Sequence, residues 1–197
     1  MNKHTKRNGI ILLLICVLCF SMVRFDAACE EMRENVFRLH ILANSDSSED
    51  QACKLAVRDA ILAQSDLFAG CVSEKEAEER ARQQLEFFRQ TAQQAVFEQG
   101  FSYPVSVSVG PSYFENREYD NFTLPAGVYS SLIVRLGEAK GHNWWCVMFP
   151  AVCVGSATLG DALSEESEEI AENRQNYEIR FKTVEIFENF RHKITGK

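Results

Sequence analysis

Residues 144–149, Trp-Trp-Cys-Val-Met-Phe, are apolar at six successive positions. Their β-forming composition and the turn glycines Gly137 and Gly141 before them favour a strand over a helix. Side chains alternate between the two faces of a strand, so this one is apolar on both. Each face then needs a covering layer, which places the strand centrally in a sheet covered on both sides. The rest of the chain must supply that sheet and its covers.

Three further strands are legible. In Asn35–Ser45, Phe37, Leu39 and Ile41 share one face while Arg38 and His40 occupy the other, a strand with one polar face. In the stretch YPVSVSVGP, Val105, Val107 and Val109 point inward, with Ser106 and Ser108 outward. A turn at Pro125–Gly127 leads to a strand with Leu132, Val134 and Leu136 on one face. Two helices separate the first strand from the second. Ser48 and Gln51 form a capping box for the first, which stripes Cys53, Val57, Ala60 and Ile61 with Leu55 and Leu62 beside them. Ser73, with Glu76 reaching back, opens a long helix to about Gln99. Its Ala77, Ala81, Leu85, Phe88, Ala92 and Val96 recur at helical spacing, and Gly100 ends it.

Residues 161–173 hold six acids in thirteen positions, an acidic linker or frayed helix. Residues 174–197 return to helical spacing through Tyr177, Phe181, Val184, Phe187 and Phe190, a helix that must dock on the domain, most simply on the open sheet face. The order β-α-α-β-β-β-α predicts an α+β, two-layer fold. It has a mostly antiparallel sheet of about four strands with the last three antiparallel, two long helices and a C-terminal docking helix. The α+β domain is expected over residues 29–160.

The amino terminus is basic and followed by the uncharged run Ile10–Val23. Fourteen helical residues span about 21 Å at about 1.5 Å each, short of the roughly 30 Å of a bilayer core. A basic segment before a short apolar run reads as an export signal or signal anchor over residues 1–28. Ala27, Ala28 and Cys29 leave three fates open: cleavage and secretion, an uncleaved anchor, or lipidation at Cys29. Removing residues 1–28 takes four of the 21 basic residues and one of the 28 acids, leaving a net charge of −10. Such a domain repels nucleic acid, and membrane contact is expected only in transit, through the export signal.

His142, Asn143 and Cys146 are the residue types of a thiol hydrolase. In a strand, His142 and Cys146 lie roughly 13 Å apart at about 3.3 Å per residue, and Asn143 falls on the opposite face. Thiol activation needs a base within about 3 Å, so no local dyad forms. An envelope thiol hydrolase using Cys146 with His40 or His192 remains the enzymatic alternative, and a membrane-anchored structural envelope module is a third reading. Cys146 and Cys153 form a disulfide only if the chain reverses at Pro150; otherwise they are two unbridged thiols. Asp46, Glu49 and Asp50 suit a helix start. No ligand spacing for a metal and no phosphate-cradling loop stands out, so no cofactor is expected.

Three stretches together carry a resemblance: FRLHILANSDSSEDQACKLAVRDAIL, LPAGVYSSLIVRLGEAKGHNWWCVMFPAVC and YEIRFKTVEIFE. They resemble the stage II sporulation protein R family of endospore-forming bacteria, from Arg38 to about Glu188. The resemblance implies a signalling protein without catalytic activity. Such a protein is made in the forespore and exported into the space between the forespore and mother-cell membranes. Its partner there is a membrane-embedded aspartic protease, which it activates to process the sigma-E precursor in the mother cell. The loops Asn44–Ser48 and Gly137–Asn143 both border strand ends. If they meet, Asn44, Asp46 and Asn143, with Trp144 or Trp145 as an apolar anchor, form a contact patch. The alternative is that Asn44 and Asp46 cap turns while both tryptophans belong to the core.

Overall fold

A computed structural model describes residues 3–119, 122–150 and 163–195. Helix α1 (Lys3–Glu34) is continuous through two different environments. Its residues from Ile10 to Val23 are largely exposed, whereas Phe25, Ala28, Cys29 and Met32 are buried, and Val36 just past its end continues that stripe. Spacings of three and four put these side chains on one helix face. The last third of the helix thus belongs to the folded domain.

Strand β1 (Phe37–Leu42) starts after two linking residues. Helix α2 (Ser48–Leu62) follows, then a single 3-10 turn (Ser65–Phe68), α3 (Glu74–Gln83) and α4 (Leu85–Glu98). The cap of α2 is Ser47 rather than Ser48, because the Asp50 amide donates to the Ser47 hydroxyl at 3.1 Å. Ser73 does cap α3, and Glu76 reaches back to the Val72 amide. The expected single helix to Gln99 is two helices, broken at Gln84. No glycine or proline marks the break, and the apolar stripe runs through it, so periodicity alone reads one helix. Gly100 follows α4 with φ +82°, as a helix-ending glycine should.

Strands β2 (Val105–Phe114), β5 (Gly127–Leu136) and β6 (Asn143–Phe149) join β1 in a sheet of order β2-β5-β1-β6, while β3 (Arg117–Glu118) and β4 (Thr123–Leu124) form a small ribbon. β2 and β5 are antiparallel, β1 is parallel to β5, and β6 is antiparallel to β1. The sheet is therefore mixed, mostly antiparallel, and the expected run of three antiparallel neighbours is interrupted because β1 inserts between β5 and β6. The doubly apolar strand β6 lies at the edge, not the centre. Its composition is explained by cover on both faces: Cys146 and Met148 enter one core, and Val147 enters the other with Trp145 beside it.

The first core joins Leu39, Ile41, Leu132 and Val134 to α2, α3 and α4. The second covers the opposite sheet face with α1, α5 (Glu165–Glu172) and α6 (Arg174–Thr195). The polar face of β1 is therefore enclosed. Arg38 is fully buried, its guanidinium 3.9 Å from the Phe114 ring centre and 4.8 Å from that of Tyr129, and Nη2 donates to the Tyr119 hydroxyl. A desolvated cation stacked this way gains roughly 2 kcal/mol from ring quadrupoles.

The acidic stretch forms helix α5, capped by Ser164 and docked through Ile170 and Ala171. Glu31 of α1 accepts hydrogen bonds from the Ser164 amide and the Ser167 hydroxyl. Helix α6 buries Phe181 and Val184, and Tyr113 of β2 donates to Asn189 while stacking on His192. Phe181→Ala should lower the unfolding free energy by about 3–5 kcal/mol. Phe187→Ala, at an exposed position of the same helix, should change it by less than about 0.5 kcal/mol. Urea unfolding of both variants checks that α6 is docked on the face that carries Phe181.

Candidate functional site

The loop after β1 and the loop before β6 meet at the end of the sheet opposite α1. Asn44 clamps them: its Nδ2 donates to Asp50 Oδ2 at 2.9 Å and its Oδ1 accepts from the Glu138 amide at 2.9 Å. The Lys140 and Gly141 amides donate to the carbonyls of Asn44 and Ala43. Glycine is required here. A Cβ on Gly141 would sit 2.1 Å from the Ser45 carbonyl oxygen, and one on Gly137, at φ +54°, 2.1 Å from Asn44 Oδ1.

Beneath the loops lies a buried polar layer. Asp50 accepts from Ser45 as well as Asn44. Burial alone would raise its carboxyl, but these hydrogen bonds hold it below the usual range. Lys54 Nζ donates to the His142 carbonyl at 3.0 Å and to Gln51, and burial lowers its ammonium from the ordinary value. Above this layer Asp46 is exposed. It accepts from the His142 amide at 2.6 Å and lies 2.5 Å from His142 Nδ1. Those contacts, the backbone one first, hold its carboxyl low.

Asn44, Asp46 and Asn143 are thus brought to one end of the sheet, but in different roles. Asn44 is half-buried and occupied in joining the loops, whereas Asp46 and Asn143 are exposed. The tryptophans part company because they are consecutive in a strand. Trp144 packs on the first core with Arg58 4.6 Å above its ring, and Trp145 packs on the second beside His40 and Phe114. The His142–Asp46 contact was not legible in the sequence, since it joins residues 96 positions apart.

Cys146 pairs in register with Leu39 and faces the first core, while His40, the next residue of β1, faces the other side. His192 stacks on Tyr113 at the far end of the sheet. Neither His40 nor His192 stands beside the Cys146 sulfur, which is disulfide-bonded and so offers no nucleophilic thiol. Cys153 lies outside the described residues, and the expected Cys146–Cys153 bridge with it. Among the described residues, no group of three or more His, Cys, Asp and Glu is arranged to hold a metal ion. The arrangement offers hydrogen-bonding groups on an exposed, rigidly supported edge, suited to recognition.

Burial pushes the His40 imidazole down to about 4, with Arg135 and Arg38 adding to the shift and the Asn143 amide opposing it. The unfolded chain binds this proton below about 6.5, while the folded chain stays neutral until about pH 4. Stability from this residue is therefore complete above pH 6.5 and lost as pH falls from 6.5 towards 4. The loss should total roughly 1–3 kcal/mol. Urea unfolding at pH 7.5 and pH 5 should show it in the parent, and His40→Gln should flatten the difference.

The family model described as Stage II sporulation protein R matches residues 33–159. The chain is also similar to Stage II sporulation protein R of Bacillus subtilis (strain 168), at 31% identity over 147 residues. That alignment covers 74% of this chain and 66% of the relative, just under two thirds of the relative's length. No solved structure matches the chain.

Proposed function

Because the chain belongs to the stage II sporulation protein R family, and is thus a sporulation protein, we propose that it is the messenger between the two cells of a developing endospore. In this reading it is made in the forespore, crosses the forespore membrane and faces the mother cell. There it activates the membrane-embedded aspartic protease that matures the sigma-E precursor. It acts by surface contact and catalyses nothing itself.

One observation carries the reading: the apolar helix and the exposed loop pair lie at opposite ends of the sheet. β1 begins two residues after α1 ends, and the Asn44–Ser48 loop follows its other end. Six strand residues separate them by about 20 Å. A domain held by α1 at one membrane would present Asp46, His142 and Asn143 away from it, towards a partner in the facing membrane. The continuity of α1 into the domain also favours retention of the amino-terminal segment over its removal. Phe25, fully buried, stacks on Tyr177 and packs edge-on against Phe181.

The test is co-expression of this chain with the protease and the sigma-E precursor in a non-sporulating host. The full chain should yield processed sigma factor, and a chain lacking the export segment should not. Asp46→Ala with Asn143→Ala should abolish processing while the chain still folds cooperatively, with at most a modest loss of stability from the Asp46–His142 contacts, because neither side chain is buried. Asn44 is left intact, since its loss would disturb the loops themselves. Normal processing by the folded double variant would remove the loop pair as the contact surface.

A further inference from the structure

Helix α6 is apolar on two faces, and among the described residues only one is packed. Tyr177, Phe181 and Val184 face the second core. On another face Ile179, Ile186, Phe187, Phe190 and Ile194 are 61–83% exposed. At about 100° per residue these five fall within a stripe roughly 100° wide that runs the length of the helix. Isolated exposed apolar residues need no explanation, but a continuous stripe of Ile and Phe does.

Charge placement says what covers it. Around the helix, Arg180 and Arg191 border one edge of the stripe, and Lys182 and Lys193 border the other. Glu185 and Glu188 lie away from the stripe, towards the domain side: Glu185 contacts Asn116 and pairs with Lys182, and Glu188 is buried and pairs with Arg191. An apolar stripe with cations on both margins is the pattern of a helix lying in a membrane interface, where Lys and Arg stems reach up to lipid phosphates.

Position supports the same occupant. The apolar run of α1 ends at Val23, and α6 meets α1 two residues later, where Phe25 packs on Tyr177 and Phe181. A cleft of about 320 Å³ there is lined by Val17, Phe20 and Arg24 of α1 and Tyr177 and Arg180 of α6, with Glu166, paired to Arg24, and Glu169 of α5 closing its third side. Aromatic and charged side chains of both signs therefore gather where the apolar run ends, the amphipathic mixture found at a bilayer surface.

We propose that α6 is a second membrane contact, its Ile/Phe stripe seated in the surface of the same anionic bilayer that holds α1. Anchor and surface helix together would fix the tilt of the domain, which a single helix leaves free. The inference makes no use of the protease reading and fails or stands apart from it.

The test uses the full chain carrying Phe190→Trp, an exposed and conservative site, in vesicles of phosphatidylcholine and phosphatidylglycerol. Subtracting the parent spectrum removes Trp144 and Trp145. The added tryptophan should emit to the blue and be quenched by lipids brominated on their acyl chains. Replacing Arg180, Lys182, Arg191 and Lys193 by Gln, or omitting phosphatidylglycerol, should reduce that quenching. Emission at the aqueous wavelength with full quenching by iodide would overturn the proposal. So would shielding from iodide without bromolipid quenching, which would assign the stripe to a second copy or another protein.

Discussion

The burial of Phe25 between Tyr177 and Phe181 ties the whole molecule together. A phenylalanine taken fully out of water contributes about 1.5–3 kcal/mol, and this one sits two residues beyond an apolar run of fourteen. One helix is therefore apolar and exposed in its first part and packed into the domain in its last. From that sharing follows the position of everything else. α1 feeds β1 directly, β1 sits between β5 and β6, and the loops at its far end are carried as far from α1 as the sheet is long.

The second core is what makes this possible. Without α1, α5 and α6 the face bearing Arg38, His40 and Ser131 would be open to water, as a polar strand face usually is. Covered, it holds a guanidinium between two rings and an imidazole kept neutral by burial. Those groups are tolerable only while the covering helices stay docked. Structure at the α1 end and order at the loop end are thus linked through β1.

Much of this was legible in the sequence. The alternation of Phe37, Leu39 and Ile41, the valines of β2, and the caps at Ser73 and Gly100 report local chemistry, which sequence carries. What escaped depends on residues far apart in the chain. The insertion of β1 between β5 and β6 leaves no mark on either strand's periodicity. The edge position of β6 was misread because apolar residues on both faces report cover, not neighbours. The stripe Phe25, Ala28, Cys29, Met32 was hidden by the apolar run before it, which invites a boundary at residue 28. At the candidate site the sequence brought Asn44, Asp46 and Asn143 into view. It could not separate a buried clamp from an exposed acceptor, because that distinction rests on Glu138 and His142 across the sheet.

The proposed function rests on this division: an exposed apolar helix at one end of the sheet and an exposed loop pair at the other. The most direct measurement is the intact mass and amino-terminal sequence of the active protein recovered from membranes of the exporting cell. A shared helix predicts a chain that still contains Phe25. A folded, active chain that begins at Cys29, or carries lipid on that buried thiol, would contradict it.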